Sequence, residues 1–319
     1  MNPFRKALGL LLAGAMTLCA PAAFAAETYV NVLTGGTSGV YYPLGVALAN
    51  VIGKQLPSVK TSVQATKASV ENLNLLEAGR GELAFTLGDS LSDAWKGNKD
   101  AGFKVPLKNL RGVAAIYPNY IQIVALADSG IKTLADLKGK RVSVGAPASG
   151  TELNARAIFK AAGLKYEDFS KTEYLPFGES VELMKNRQLD ATLQSAGLGV
   201  SSLRDLAASV AIVVVPIPED IIKKTGDPAY ISAVIPADTY KGQTTDVPTA
   251  AVPNFLVTRE GVSDDIVYGM TKALWTHLPD LVAAHSAAKA INLQHALTGM
   301  PIPLHPGAAR YYKEVGILK

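Results

Sequence analysis

Two stretches of this chain, 111 residues apart, are built on one plan, and that repeat limits the possible folds more than any single motif. Tyr29 to Gly53 reads as strand, glycine-rich turn and helix. Val30, Val32 and Leu33 are strand-like, Gly35-Gly36-Thr37-Ser38-Gly39 breaks the chain, and Leu44, Leu48 and Val51 recur at helical spacing. Arg141 to Gly163 repeats the plan, with Val142 and Val144 as strand, Gly145 to Gly150 as turn and Leu153, Ala157, Ile158 and Ala161 on one helix face. Ser38-Gly39 and Ser149-Gly150 lie 111 residues apart, and so do Ser69-Val70-Glu71 and Ser180-Val181-Glu182. Each of the latter is expected to open a short helix followed by a buried strand, Leu83 to Leu87 and Ala191-Thr192-Leu193. A third echo, Pro118-Asn119-Tyr120 against Pro253-Asn254-Phe255, is expected to enter an apolar strand each time. Matches in this consistent order imply two similar lobes.

Alternating strands and helices make each lobe α/β with a mostly parallel sheet. The two Pro-Asn-aromatic strands predict two crossings between lobes, so residues 26–116 and 251–319 would form one lobe and 117–250 the other. The carboxy-terminal helices would cap the first lobe, with Ser263 as N-cap and Asp264 and Asp265 in the first turn. A length of 319 residues suits two such lobes.

The first 25 residues stand outside this plan. Arg5 and Lys6, an apolar stretch from Ala7 to Ala20 and Ala23-Phe24-Ala25 have the order of a secretory signal peptide, and the apolar run is short of the ~20 residues a membrane span needs. Leu18 before Cys19 speaks against a lipoprotein signal. Cleavage after Ala25 would remove the chain's single cysteine and leave an exported, periplasmic protein without disulfides. The net charge of +4 is modest and dispersed, which argues against a nucleic-acid-binding stripe, and 48% hydrophobic residues exclude a disordered chain.

In open α/β sheets, ligands bind beyond the carboxyl ends of the strands. Small residues there let backbone N–H groups at helix N-termini approach an anion, with Ser and Thr hydroxyls as further donors. The turns near Ser38, Ser69, Ser149 and Gln194 would converge on one cleft and bind a small carboxylate without a buried lysine or arginine. The candidate ligand-binding residues are Ser38, Gly39, Tyr42, Ser69, Asn72, Asp89, Tyr117, Ser149, Gly150, Thr151 and Gln194. Several have a plainer reading. Ser149 and Glu152 form a capping box, Ser69 is placed to cap its own helix, and Asp89 is either a turn residue or the partner of a ligand amine or a Tyr hydroxyl. At least one ring of Tyr41-Tyr42 is expected to wall the cleft. The chain lacks GxSxG, Walker A and GxGxxG patterns, and its four histidines are spaced for surface or capping roles rather than as i, i+4 metal pairs. No catalytic residue, metal or cofactor is expected.

The string TGGTSGVYYPLGVALANVI (Thr34 to Ile52) resembles the mature start of the TAXI family, the solute receptors of one class of tripartite ATP-independent periplasmic (TRAP) transporters. The likeness continues through SVENLNLLEAGRGELAFTLGD (Ser69 to Asp89), IKTLADLKGKRVSVGAPASGTELNARAIFKAAGL (Ile131 to Leu164) and PLHPGAARYYKEVG (Pro303 to Gly316). It covers nearly all of the mature chain. The resemblance implies a type II periplasmic-binding-protein-like fold, a small organic acid or amino acid (glutamate-like) as ligand, TRAP membrane subunits as partners, no catalytic activity and a monomeric receptor. Ala68 departs from the glycine that members often carry there, which would tighten the turn and alter ligand size. No arginine is placed like the carboxylate-clamping arginine of the other TRAP receptor class, Arg111 and Arg156 being the nearest. The alternatives are an exported sensor module and, on a similar scaffold, a periplasmic enzyme.

Overall fold

The computed structural model describes residues 28–319, so the expected signal peptide and its expected cleavage after Ala25 lie outside the described residues. Strand β1 (Thr28–Leu33) leads through the glycine-rich turn into α1 (Tyr41–Gln55), which buries Leu44, Leu48, Val51 and Ile52 and runs two residues past Gly53. Strand β2 (Val59–Gln64), α2 (Ser69–Glu77), β3 (Leu83–Leu87) and α3 (Gly88–Lys96) follow, β3 being buried along its whole length. After the long strand β4 (Leu110–Leu126) the pattern starts again with β5 (Arg141–Ser143), α4 (Gly150–Ala161), β6 (Lys171–Glu173), α5 (Phe177–Lys185), β7 (Ala191–Ala196) and α6 (Ser201–Ser209). Strand β8 (Ile212–Val215), α7 (Glu219–Lys224) and β9 (Ile231–Ile235) precede the second long strand, β10 (Val247–Arg259). Helices α8 (Asp264–Thr276), α9 (Leu278–Ala284) and α10 (Pro306–Glu314) complete the chain. No helix among the described residues is long and apolar enough to cross a membrane.

The strand order β2-β1-β3-β10-β4-β7-β5-β6 shows the repeat directly. In each half the first strand pairs in parallel with the second and third, and the third then meets a long antiparallel strand. The fold is therefore two α/β lobes joined by two crossing strands, as the repeat implied. One detail differs. Ser69 opens α2, but its repeat mate Ser180 sits a turn inside α5, which begins at Phe177 behind Pro176. Proline has a fixed φ that suits a helix start, so it moved the boundary.

The third echo marks the crossing itself. Pro118 lies within β4, Pro253 lies within β10, and the two stand opposite one another in the antiparallel register. Neither can donate to the ladder, so central strands rarely tolerate such residues. The neighbouring asparagine repairs the loss: Asn254 Nδ2 donates to the Tyr117 carbonyl at 2.9 Å and to Asn119 Oδ1 at 2.7 Å. Asn119 Nδ2 in turn donates to the Ser195 carbonyl at 2.8 Å. Side-chain amides thus replace ladder bonds where the chain passes between lobes. On the outer face α8 packs against α1 and α10, with Ser263 accepting from the Ile266 amide as its N-cap.

Candidate functional site

The carboxyl ends of β1, β3, β5 and β7 and the helix N-termini beyond them meet between the lobes, around a cavity of about 120 Å³. The first turn of lobe 1 contributes Gly35, Gly36, Gly39, Val40 and Tyr41, and the start of α2 contributes Ala68 and Ser69. From the other lobe come Ser149, Gly150 and Thr151 at the start of α4, Pro176 and Phe177 at the start of α5, and Ser195 and Ala196 at the end of β7. All four turns read from the sequence reach it. Lobe contact is close. The Glu71 amide donates to the Ala148 carbonyl at 3.2 Å, and a Cβ on Gly150 would lie 2.7 Å from Ser69 Oγ and 2.6 Å from Leu87 Cδ1. Only glycine allows the two helix ends to approach this way.

The polar lining is made of donors. Ser149 Oγ accepts from the Glu152 amide at 3.1 Å, and Ser69 Oγ accepts from the Leu87 amide at 3.1 Å. Each hydroxyl proton remains able to point elsewhere. The buried Tyr117 hydroxyl and Ser195 Oγ have no hydrogen-bond partner among the described residues, although buried polar groups are rarely left so. Burial, followed by the nearby Tyr41, pushes the Tyr117 hydroxyl well above its ordinary pKa, so it stays protonated and can donate. Of the lining side chains among the described residues, Lys67 alone is charged, and it is exposed at the rim. Val40, Leu87, Ala146, Pro176, Phe177 and the ring of Tyr41 supply apolar wall. Tyr41 stacks on Phe85 at 5.1 Å and donates to Asn254 Oδ1 at 2.5 Å, which ties the wall to the crossing strands.

Two alanines hold strained turns here. Ala68 has φ 72° and ψ −142°, a region that glycine otherwise monopolises, and Ala148 has φ 58°. Each directly precedes a cavity serine. The methyl group of Ala68 leaves no spare room, since a Cβ on Gly35 would meet it at 3.3 Å.

Gly39, Ser69, Tyr117, Ser149, Gly150 and Thr151 line the cavity. Ser38 and Tyr42 do not, and face outer grooves instead, Ser38 beside Pro176 and Glu179, and Tyr42 beside Ser201 and Arg204. The wall is formed by Tyr41 because the first helical residue points inward and the next lies about 100° around the axis. Asn72 is consumed in fastening its turn: it donates to the carbonyls of Thr34 at 2.6 Å and Phe85 at 2.9 Å and accepts from Thr66 Oγ1 at 2.6 Å. Gln194 is buried against Ser202, whose Oγ donates to it at 2.6 Å. Asp89 accepts from the Tyr230 hydroxyl, one of the roles read for it. Arg111 pairs with Glu260 and Arg156 with Glu152, both away from the cavity. The Ser149–Glu152 box is half formed, since Glu152 turns to Arg156 and Tyr166. His285 and His305 accept from backbone amides as caps. The sequence reading missed Lys67, Thr66, Asn119, Phe177 and Ser195; the Pro176-Phe177 helix start, equivalent to the Ala68-Ser69 start in the repeat, was the available signal for Phe177.

Solved structures with this architecture include one described as a periplasmic transporter (14% identity, 92% of this chain and 94% of that one, TM-score 0.56). PhnD1 from Prochlorococcus marinus MIT 9301, in complex with methylphosphonate, is similar over 91% of this chain and 97% of its own (13% identity, TM-score 0.52). The zinc-bound ligand-binding component of an ABC-type import system from Staphylococcus aureus is similar over 92% and 93% (12% identity, TM-score 0.50). At these identities the likeness is one of fold. The family model described as NMT1-like matches residues 32–316, which span both lobes and every element of the cavity, and the chain therefore belongs to the NMT1-like family.

Proposed function

We propose that this chain is a periplasmic solute-binding receptor, without catalytic activity of its own, that captures a small organic acid or amino acid, glutamate-like ligands among them, between its lobes. In this reading it is a TAXI-type receptor that works as a monomer, is exported by cleavage after Ala25, and delivers its ligand to TRAP membrane subunits. The observation that carries it is the interlobe cavity with two buried hydroxyls, Tyr117 and Ser195, on its wall that lack a partner among the described residues. Those groups, with the hydroxyls of Ser69, Ser149 and Thr151 and the amides at the start of α4, suit the acceptor oxygens of a carboxylate. Gly39 and Gly150 supply close approach. Asn72, Gln194 and Asp89 support the site from behind, while Ser38 and Tyr42 belong to its outer rim. The likeness in fold to proteins of import systems supports a binding role.

The lobes would be residues 26–116 with 251–319, and residues 117–250, hinged near Tyr117 and Val252. The Pro118–Pro253 pair supports that location, because the ladder lacks its N–H donors there. Closure would be favoured only by ligand contacts made in the closed form and absent from the open one.

A thermal-shift screen of dicarboxylates, amino acids and oxo acids, followed by calorimetry on the hits, tests this reading. At least one acid should raise the melting temperature by several degrees at saturation and bind with a stoichiometry of one. Conversion of the bound acid by purified protein would favour an enzyme. The absence of any stabilising acid would remove the receptor reading.

A further inference from the structure

Asp89 stands at the start of α3 in lobe 1, yet its partners belong to the other lobe. Asn154 Nδ2, on α4, donates to Asp89 Oδ2 at 2.6 Å, and the Tyr230 hydroxyl donates to the same oxygen at 2.8 Å. Asn154 Nδ2 also donates to the Tyr230 hydroxyl at 2.8 Å, and the Ser90 amide to Asp89 Oδ1 at 2.7 Å. All three side chains are buried, Asp89 at 4% exposure and Asn154 at 0%. None of them lines the ligand cavity. Among the described residues the carboxylate has no cation as a partner, and Asn154 Oδ1 has no hydrogen-bond partner. A buried charge without a counter-ion is costly, whereas an open interface would give Asp89 back to water.

We propose that Asp89, Asn154 and Tyr230 form a proton-linked latch between the lobes, so that closure takes up a proton at Asp89 and a lower pH favours the closed form. This rests on the receptor reading only in assuming that the lobes open and close. Protonated Asp89 becomes a donor, and exchanging the oxygen and nitrogen of the Asn154 amide would turn its free acceptor toward that proton.

The surrounding charges agree. Burial is the main cause that pushes the Asp89 carboxyl up to about 6; bonds from Tyr230 and Ser90 oppose this, and Asp227 and Asp93 add to it. Several charged groups of the packed elements pair elsewhere, among them Lys223 with Glu219 and Lys224 with Asp220 on α7. On α4, Glu152 and Arg156 pair with each other, and Arg156 also donates to the Asp100 carbonyl. On α2, Glu71 accepts from the Lys67 amide and Glu77 from Asn109, and on β10 Arg259 pairs with Glu82. Lys99 and Asp100 lie in the short turn beyond α3. A water-exposed Asp titrates near ~3.9, so the window runs from about pH 6 down to about pH 4, and the closed-to-open ratio rises by at most about tenfold per pH unit lowered.

Small-angle scattering of the unliganded protein between pH 7.5 and 5.0 reads this without knowledge of the ligand. The radius of gyration should fall as pH drops through about 6 in the wild type and stay small at every pH in Asp89→Asn, a neutral isostere of the protonated form. Tyr230→Phe removes a donor that favours the charged carboxylate, so its midpoint should lie at higher pH than that of the wild type. An unchanged midpoint in Tyr230→Phe, or an Asp89→Asn protein that follows the wild-type pH profile, would overturn the latch. So would a wild-type radius that ignores pH. Each of these three outcomes could stand beside intact ligand binding, which separates failure of the latch from failure of the receptor reading.

Discussion

The two lobes repeat one another in strands and helices but not in the chemistry of their turns. In lobe 2 the first strand-to-helix turn brings hydroxyls to the cavity, from Ser149 and Thr151, and the second brings Pro176 and Phe177. In lobe 1 the order is reversed: the first turn offers glycines, Val40 and the Tyr41 ring, and the second offers Ser69. Polar thus faces polar along one diagonal, Ser69 against Gly150, and apolar faces apolar along the other, where Phe177 lies 3.9 Å from the position of a Cβ on Gly39. The duplicated architecture gives two helix ends per lobe. Their side chains then give the cavity a polar end and an apolar end, which in the proposed reading would take an anionic head and the rest of a small ligand. The lobes also fasten their polar turns differently. Ser149 caps its own helix, whereas Ser69 is bonded to the Leu87 amide while Asn72 anchors the turn to two strands. The lobe 1 turn is a fixed platform, and the lobe 2 turn is self-contained.

The severest way to break the polar diagonal is to wedge it. In Gly150→Val the new side chain would collide with Ser69 and Leu87 in the closed form but not when the lobes are apart. Overpacking of this kind costs roughly 1–3 kcal/mol, so the binding constant of an acid found in the screen should fall by about 10- to 100-fold, while the unliganded melting temperature stays near that of the wild type. Unchanged affinity in calorimetry would show that ligand capture does not require this approach of the helix ends. Removing the hydroxyls of one side is milder. Ser149→Ala with Thr151→Ala should weaken binding by about tenfold, at roughly 1 kcal/mol per hydrogen bond with partial compensation by water. The Ser149 change should also lower stability by about 1 kcal/mol, because the α4 cap is lost. A melting-temperature decrease without any loss of affinity would reduce Ser149 to its capping role and leave the polar end to lobe 1.

Much of this was readable from residues. The offset of 111 located equivalent strands and helices, because buried sheets demand apolar runs and helix starts demand breaks. The Pro-Asn-aromatic echo located the crossing, though not its reason: that two prolines would face each other and be repaired by asparagine amides depends on a register set by both lobes together. The site was legible as turns and only partly as side chains. Tyr42 and Tyr41 are adjacent and chemically identical, so which ring walls the cavity depends on where the first helical residue falls. Asn72 and Gln194 had the right chemistry, but Asn72 is consumed by carbonyls of two strands, and the Gln194 oxygen by the Ser202 hydroxyl of the next helix, contacts that only the folded chain sets. Asp89 likewise could be paired with a tyrosine in principle, and nothing short of the folded chain says that the tyrosine is Tyr230, 141 residues away.

The smallest expected effect tests the diagonal most directly. Ser38 is the repeat mate of Ser149, and a symmetric site would use both equally. The fold places Ser38 in the outer groove, where its carbonyl, not its hydroxyl, accepts from Ser201 Oγ at 2.8 Å across the lobes. Ser38→Ala keeps that carbonyl, removes a partly exposed hydroxyl that lines no cavity wall and should alter stability by less than about 0.5 kcal/mol. Affinity should stay within about twofold of the wild type, since the mutation leaves every closed-form contact of the cavity in place. A loss matching that of the Ser149 and Thr151 pair would mean that the ligand extends past Gly39 into the outer groove. In that case the first turns of both lobes would bind it alike, and the division into a polar and an apolar end would not hold.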